Sequence, residues 1–190
     1  MVSMNKIKLN SYDDLFGSHE LNDPAALEVP LEELHEFKGH PFRVTDDEDM
    51  MELAESIKLH GVMVPAIVRS RPEGGYEIIS GHRRKRASEL AGRHTMPVII
   101  KEYSDDESVW TMVDSNLQRE HILPSEKAKA YSMKYEALKH QGIKSGGNTL
   151  DVLGDAGKES GKTVERYIWL SRLDDSLLAM VDTKSLLKII

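Results

Sequence analysis

The junction YEIISGHRRKRASELAG, residues 76–92, constrains the fold of this chain more than any other segment. Its apolar start, Tyr76–Ile79, predicts a strand, and the small and apolar residues Ala87–Ala91 predict a helix that stops at Gly92. Ser80-Gly81 forms the turn between them. Basic residues follow this turn at once: Arg83, Arg84, Lys85 and Arg86, with His82 before them.

The basic turn lies where a helix begins, and this position favours anions. Free backbone N–H groups and the positive end of the helix dipole attract negative charge. The planar fork of arginine can also make two hydrogen bonds to one phosphate. Residues 81–86 therefore predict a phosphate-binding site. The alternative is a solvated basic helix without a ligand.

Charge is unevenly distributed along the 190 residues, whose net charge is −7. Residues 1–60 hold 5 Lys and Arg against 14 Asp and Glu, a net of −9. Residues 61–119 hold 9 against 8 and residues 120–190 hold 11 against 10, each a net of +1. Overall acidity does not exclude nucleic-acid binding, because phosphate attraction acts over about a Debye length. The acidic residues 1–37 are predicted to form a flexible arm.

Residue content excludes several classes of site. The chain has no cysteine, which excludes disulfides, thiol catalysis and cysteine-ligated metals. Its 8 histidines follow no zinc-binding spacing. The sequence shows neither an apolar run long enough to span a membrane nor the apolar core of a signal peptide. We therefore expect a soluble cytoplasmic protein.

Periodicity predicts an α+β fold whose second part is all-helical. Between residues 46 and 116 the order is helix, strand, strand, helix, strand, helix. The first helix has an apolar face made of Met50, Leu53, Ala54 and Ile57. Residues 62–69 are predicted to form a buried strand or strand pair, with Pro65 at an edge or bulge. After residue 121 the patterns are helical: a long helix from Pro124, a short helix, a glycine-containing turn and the helix TVERYIWLSRL. The last two helices are typical of a helix-turn-helix. Trp110 and Trp169 occupy apolar helix positions and are predicted to be core residues.

The stretch AGKESGKT, residues 156–163, satisfies a relaxed phosphate-loop pattern, but we reject this interpretation. A phosphate loop needs a strand before it and a parallel sheet behind it, whereas the flanking residues are predicted to be helical. The better interpretation is the turn of the helix-turn-helix. The residues then predicted to cap the second helix and to face DNA are Ser160, Lys162, Thr163, Arg166 and Tyr167.

A second polar cluster, DSNLQRE, lies at the end of the helix before the predicted domain boundary. It brings Asn116, Gln118 and Arg119 together. An Asn or Asp oxygen can hold a Mg²⁺ that bridges phosphates, since magnesium usually takes only one or two protein ligands. Taken alone, the cluster is better explained as an ordinary helix C-terminus.

Three stretches, in order, make the chain similar to the ParB family of chromosome and plasmid partition proteins. HPFRVTDDEDMMELAESIKLHGVMVPAIVR resembles the family's first box, in which a Pro-Arg element precedes a helix and a strand with Pro. SGHRRKRASELAG resembles the G-E-R-R-x-R-A box, and SNLQREHILPSEKAKAY resembles the E-N-[IL]-Q-R box with its following helix. The resemblance covers roughly residues 38–175.

The resemblance implies a small mixed-sheet ParB/sulfiredoxin-like domain at residues 38–121 and a helical helix-turn-helix domain at residues 122–190. It implies a site-specific protein that binds a palindromic DNA site and that CTP with Mg²⁺ switches into a homodimeric clamp. Asn116 would hold the metal. The residues implied in nucleotide binding are Arg43, Gly61, Val62, Pro65, Ala66, Gly81, His82, Arg83, Arg84, Asn116 and Arg119.

Two departures from the family pattern concern acidic positions. His82 replaces the acid of G-E-R-R, and Ser115 replaces the acid of E-N-x-Q-R, which in the family is tied to metal binding and hydrolysis. Asp114 is a catalytic candidate beside it, but one helical residue away it points about 100° elsewhere. We therefore expect nucleotide binding with weak, altered or absent CTP hydrolysis.

The N-terminal arm contains a candidate segment for partner binding. The segment Ser11–Gly17 carries two apolar residues in a polar arm and is a candidate docking peptide for a ParA-type ATPase; alternatively, it packs onto its own domain. The alternative functions are a helix-turn-helix transcription regulator without nucleotide switching and a nuclease or phosphotransfer enzyme on the same fold. The family's C-terminal dimerisation domain is not recognisable before Ile190, so we expect a truncated or shortened chain.

Overall fold

A computed structural model describes residues 26–119, 121–140 and 147–183. In these ranges a five-stranded sheet is followed by helices, which confirms the α+β class. The strands are β1 (Leu27–Pro30), β2 (Leu34–His35), β3 (Ala66–Ser70), β4 (Tyr76–Ser80) and β5 (Thr95–Ile100). The helices are α1 (Glu48–His60), α2 (His82–Leu90), α3 (Asp105–Leu117), α4 (Pro124–His140), α5 (Gly147–Gly154), α6 (Gly161–Leu170) and α7 (Asp175–Asp182).

The sheet is mixed, with the order β1-β5-β3-β4-β2. β3 pairs antiparallel with β4 and parallel with β5. The sequence-predicted junction is therefore the connection from an inner strand, β4, to α2. Gly81 makes this turn with a φ of 122°, in a region that residues with a side chain rarely adopt.

Local signals account for the helices around this junction. Asp47 caps α1 by accepting a hydrogen bond from the Met50 N–H at 2.9 Å. Ser104 and Glu107 form a capping box at the start of α3. The predicted apolar face of α1 is confirmed, because Met50, Ala54 and Ile57 are buried.

The predicted flexible arm is corrected in its last part. β1 pairs antiparallel with β5, and β2 pairs parallel with β4. Val29, Leu34 and Phe37 are buried in the core. These strands have only 4 and 2 residues, too short for an alternating pattern to stand out in the sequence. The first 25 residues lie outside the described ranges.

A second correction concerns the strand predicted at residues 62–69. β3 begins only at Ala66, and the preceding Met63 and Val64 are exposed. Pro65 cannot donate a backbone hydrogen bond, so a ladder bond is missing inside the predicted strand, just before β3 begins. Residues 61–65 form a loop that leads from α1 to the sheet.

The helical part confirms the rejection of a phosphate loop at residues 156–163. In the described ranges no strand follows β5, and the element before this stretch is the helix α5. α5 and α6 approach closely at Gly161, where an added Cβ would lie 2.5 Å from Asp151 Oδ1. The Gly161 N–H donates to the same oxygen at 2.8 Å. α5, the turn and α6 therefore form the predicted compact helix pair.

The sheet and the helices share an apolar core. Phe42 and Ile79 cluster with Tyr131 of α4 and Leu153 of α5. The predicted boundary after residue 121 thus falls in the short link between α3 and α4. Trp169 does not join this core: it is 60% exposed, so its prediction as a core residue is wrong. None of the helices in the described ranges is long and apolar enough to cross a bilayer.

Candidate functional site

A cleft of about 550 Å³ lies between the start of α2, the end of α3 and the start of α4. The loop that precedes α1 closes its remaining side. Three cations line this cleft: Arg43, Arg83 and Arg119. Three acids line it as well: Asp47, Asp49 and Glu126. The cleft thus collects arginines from three separate parts of the chain.

Arg83 and Arg119 place two positive charges close together in this cleft. Arg119 is exposed to solvent at the cleft. The protein atoms around its guanidinium lower its pKa by burial, and the charge of Arg83 lowers it further, while Glu126 has a smaller opposite effect. Within the described part of the chain Arg119 forms no salt bridge. An anion bound to both guanidinium groups would relieve their repulsion. The pair therefore has the electrostatics of an anion site.

Among the described residues, Arg83 has only one weak ion-pair partner. Its Nη2 lies 3.6 Å from Asp47 Oδ1, and the Asp47 side chain is 46% exposed. Asp47 also accepts from the Met50 N–H, as the α1 cap. Because an exposed ion pair contributes only about 0.2–1 kcal/mol, a phosphate can displace this carboxylate. Arg83 is thus available to a ligand.

Arg43 connects the cleft to the helical part. Its backbone N–H donates to Glu126 Oε1 of α4 at 2.8 Å. Its guanidinium Nη2 lies 3.5 Å from Asp182 Oδ2 of α7. Asp182 was not singled out from the sequence, because nothing in its local pattern distinguishes it from an ordinary helix-end acid.

Arg84 does not line the cleft, in contrast to its predicted role at the phosphates. Its Nη1 donates to the carbonyls of Val64 and Pro65, both at 2.6 Å, and burial lowers its pKa. These bonds hold the loop that carries Gly61, Val62 and Pro65. Gly81 lies against the end of this loop, since an added Cβ there would be 2.7 Å from Ala66 Cβ. The predicted nucleotide residues therefore fall into two neighbouring groups, one in the cleft and one around this loop.

His82 supports the chain before the cleft and does not face it. It is 7% exposed, and its ring lies 3.8 Å from that of His40. Its Nε2 accepts from the Phe37 N–H at 3.4 Å. Burial lowers the pKa of His82 to about 3, and the neighbouring positive charges act in the same direction. At neutral pH this position therefore carries no charge where the family pattern has an acid.

Asn116 has the features of a metal ligand. It is 3% exposed, and its Nδ2 donates to the Met112 carbonyl at 2.7 Å. Its Oδ1 is buried without a partner in the described part of the chain. A buried amide oxygen without a donor is uncommon, and amide oxygens are suitable ligands for Mg²⁺. Asn116 does not itself line the cleft, so its metal role stays a prediction that this buried oxygen supports.

Any metal at Asn116 would rely largely on ligands from outside the chain. The described ranges contain no group of three or more His, Cys, Asp or Glu side chains that could hold an ion. Magnesium often keeps several waters and binds through phosphate oxygens of its substrate. The structure thus fits a metal that arrives with a phosphate compound.

Asp114 and Ser115 are both occupied by intramolecular bonds. Asp114 Oδ1 accepts from Nζ of the buried Lys134, whose ammonium also lies 4.1 Å from the centre of the Trp110 ring. Ser115 Oγ donates to the Met112 carbonyl at 3.0 Å. Neither residue lines the cleft. Asp114 therefore faces α4, as its helical offset from the family's acid predicts.

The predicted DNA-facing residues lie mainly on one exposed side of α6. Ser160 caps the helix by accepting from the Thr163 N–H at 3.3 Å. Lys162 and Arg166 are exposed, and neither forms a salt bridge with a described residue. Tyr167 is the correction: its ring stacks on Tyr131 of α4 with a centroid distance of 5.6 Å. It therefore faces the core side of α6.

The chain is similar to a known protein family and to several curated proteins. Residues 17–117 match the family model described as the ParB N-terminal domain. The chain is 42% identical over 109 residues to the nucleoid occlusion protein of Halalkalibacterium halodurans, a match that covers 57% of this chain and 38% of that protein. It is 35% identical over 158 residues to the probable chromosome 1-partitioning protein ParB of Deinococcus radiodurans, covering 83% of this chain and 51% of that protein.

A solved structure extends the likeness into the helical part. The C-terminally truncated chromosome-partitioning protein ParB from Caulobacter crescentus, complexed to the centromeric parS site, matches with a TM-score of 0.54 and 26% identity. The match covers 81% of this chain and 76% of that one. The chain spans about half, or less, of the length of the curated relatives it matches. Because the family model covers more than half of its residues, the chain belongs to the ParB family.

Proposed function

We propose that this chain is the nucleotide-binding and DNA-binding part of a partition protein that works in the cytoplasm on DNA. In this proposal, CTP with Mg²⁺ occupies the cleft and switches a homodimer into a clamp around DNA that holds a palindromic site. The observation that carries the nucleotide site is that Arg83 and Arg119 line one cleft. Burial lowers the pKa of Arg119, and the charge of Arg83 lowers it further. The family resemblance supplies the identity of the nucleotide.

The triphosphate would replace weak contacts within the chain. Arg83 would exchange the exposed carboxylate of Asp47 for phosphate oxygens, which accept bidentate hydrogen bonds from a guanidinium. Arg119 would gain the anion that it lacks. Asn116 would hold Mg²⁺, which neutralises phosphate charge. The loop at residues 61–66 would then hold the base and sugar, as the resemblance implies.

The cleft is well placed to influence the DNA-binding helices. Glu126, in the first turn of α4, accepts from the N–H groups of both Arg43 and Leu123. Part of the cleft wall is therefore the start of the helical part itself. A ligand that moves Arg43 would act on α4 directly.

A panel of ribonucleotides tests the nucleotide site. We expect CTP with Mg²⁺ to raise the thermal midpoint and to bind by calorimetry, and Arg119→Ala to abolish both effects. The control is Arg86→Ala, because Arg86 lies on the same helix as Arg83 but pairs with Asp46 and Glu89 outside the cleft. If no nucleotide binds to the folded protein, the nucleotide switch is excluded and a plain transcription regulator is favoured.

Salt-dependent DNA binding tests the helix-turn-helix. We expect fluorescence anisotropy to show binding to a parS duplex in preference to a scrambled duplex. Arg166→Ala should weaken binding and lower the salt slope by about one. Lys129→Ala is the control, because Lys129 is an exposed lysine of α4 that already pairs with Asp175. Equal affinity for both duplexes would contradict site specificity.

We propose that CTP hydrolysis is weak or absent. Ser115 offers no carboxylate, and Asp114 is bound to Lys134. A phosphate-release assay with the folded protein should show little turnover. Rapid turnover that disappears in Asp114→Asn would overturn this view and favour the enzyme alternative.

A ParA-type ATPase at Ser11–Gly17 stays a prediction, because this segment lies outside the described residues.

A further inference from the structure

Trp169 lies on the side of α6 that carries the predicted DNA-facing cations. Lys162, Arg166 and Trp169 are spaced by four and three residues, so they fall within an arc of about 60° on the helix. All three are exposed, and Trp169 is 60% exposed. Glu165 is the acid on this side of α6. The exposure of Trp169 shows that core packing does not account for the position of its ring, and its neighbours on this side of the helix include cations.

Arg172 completes a pair with this tryptophan. Its guanidinium carbon lies 4.1 Å from the centre of the Trp169 ring, in cation–π geometry. Arg172 follows the end of α6 and is exposed. The contact holds the Arg172 side chain against the ring and thereby restricts where its guanidinium N–H groups can point.

The cations of this surface differ from those on neighbouring helices. In the described ranges, Lys162, Arg166 and Arg172 form no salt bridge. By contrast, Lys127 and Lys129 of α4 pair with Glu159 and Asp175. Unpaired cations beside an exposed ring fit a ligand with both negative charge and apolar faces. The sugar–phosphate backbone of duplex DNA has this chemistry.

The position along the helix distinguishes backbone contact from base contact. In a helix-turn-helix, the N-terminal residues of the second helix reach the base edges. Trp169 lies seven residues after Lys162, or about 10 Å further along the axis. The major groove is only about 12 Å wide. The far end of α6 therefore reaches the wall of the groove when its start reaches the bases.

We propose that Trp169 and Arg172 form a backbone clamp, in which the indole packs on a deoxyribose and the guanidinium binds the adjacent phosphate. The clamp fixes the register of α6 in the groove and carries no base preference itself. This inference rests on the proposed DNA-binding function. It adds to that function a DNA contact beyond the start of α6. The sequence predicted Trp169 to be a core residue and predicted no role for Arg172.

Binding of a parS duplex and a scrambled duplex, each across a salt series, tests the clamp. We expect Trp169→Ala to weaken both complexes by about threefold to tenfold with an unchanged salt slope. Arg172→Ala should weaken both and lower the slope by about 0.9. Val152→Ala, which truncates an exposed apolar residue of α5, is the control and should change neither affinity. Melting curves confirm that each variant is folded.

Tryptophan fluorescence gives an independent test. The chain has 2 tryptophans, so Trp110→Phe leaves Trp169 as the only one. We expect DNA to shield this residue from acrylamide. If wild-type protein binds neither duplex, the proposed function fails. If it binds but Trp169→Ala and Arg172→Ala bind equally well, the clamp alone is overturned. A loss confined to the parS duplex would also overturn it, in favour of base reading.

Discussion

Arg43 Nη2 lies 3.5 Å from Asp182 Oδ2, and this contact joins the arginine-lined cleft to the last described helix. Asp182 is nearly buried, with 8% of its side chain exposed, and it also accepts from the N–H and Oγ of Ser125. One carboxylate therefore holds the start of α4, the end of α7 and a cleft arginine together. Phosphate and Asp182 would compete for Arg43.

This competition predicts opposite effects of one substitution. Asp182→Asn keeps the shape but removes the charge, so we expect CTP to bind more tightly because Arg43 is free to reach the phosphates. We expect the free energy of unfolding to fall by about 1–3 kcal/mol, since the Ser125 hydrogen bonds lose a charged acceptor. Calorimetric titration and urea denaturation measure the two quantities.

Asp175→Asn is the matched control for this test. Asp175 lies on the same helix but forms an exposed pair with Lys129, with 88% of its side chain exposed. Exposed pairs contribute little, so neither CTP affinity nor stability should change appreciably. A decrease of CTP affinity in Asp182→Asn would show that Asp182 positions Arg43 for the nucleotide and does not compete for it.

The ion pair between Lys134 and Asp114 predicts that removing either partner lowers the free energy of unfolding by a different amount. Lys134 is 1% exposed, whereas 37% of the Asp114 side chain is exposed. Asp114→Ala leaves a buried ammonium without a counter-charge and should cost about 3–5 kcal/mol of unfolding free energy. Lys134→Met fills similar volume and leaves an acid that can reach water, so its cost should be smaller. Chemical denaturation measures the free energy of unfolding of both variants. Equal losses in the two variants would contradict this prediction.

The sequence predicts the junction between β4 and α2 because its signals are local and strong. An apolar strand, one glycine with a positive φ and a helix with small residues leave few other structures. β1 and β2 were missed because they are held by pairing with β5 and β4 and not by their own pattern. Short strands at a sheet edge depend on partners that a local reading does not contain.

The site is predictable in type but not in detail. The family resemblance places Arg83 in one site with Asn116 and Arg119, although Arg83 is far from these two residues in the chain. It does not reveal that Arg84 bonds to the Val64 and Pro65 carbonyls, because side-chain direction depends on the packed loop. Trp169 was misplaced for a similar reason: it follows the buried Ile168, and one helical step of about 100° moves it into solvent.

The His82 environment predicts a pH dependence of stability. Burial lowers the pKa of His82 to about 3, and burial lowers the pKa of His40 too. The unfolded chain therefore binds more protons than the folded one between pH 6.5 and 3. As the pH falls through this window, His82 alone should reduce the free energy of unfolding by up to about 1.4 kcal/mol per pH unit.

Urea denaturation at pH 7, 6 and 5 would measure the change of the free energy of unfolding with pH. His82→Gln removes one titrating group and should make the slope shallower. His94→Gln is the control, because His94 is exposed on the turn before β5 and should leave the slope unchanged. An identical slope in His82→Gln and wild type would show that His82 is not the group that is protonated on unfolding.

Asn116 Oδ1 has no hydrogen-bond partner among the described residues, and this predicts that metal binding can be separated from nucleotide binding. We expect Asn116→Ala to bind CTP in the presence of Mg²⁺ only as well as wild type binds it in EDTA. Asn116 Nδ2 donates to the Met112 carbonyl and, at 3.4 Å, to Ser115 Oγ, and both bonds are lost. Stability should change little, because the Met112 carbonyl keeps the hydrogen bond from Ser115 Oγ. Calorimetric titrations with and without Mg²⁺ give the comparison.

Gln118→Ala is the control for the metal prediction, since Gln118 is an exposed amide at the end of the same helix. It should keep the full response to Mg²⁺. Asn116 and Gln118 carry the same amide group, but only the Asn116 oxygen is buried. Only Asn116→Ala should therefore lose the response to Mg²⁺. If Asn116→Ala still gains affinity from Mg²⁺, the metal is held by the nucleotide phosphates without Asn116, and its buried oxygen has a structural role alone.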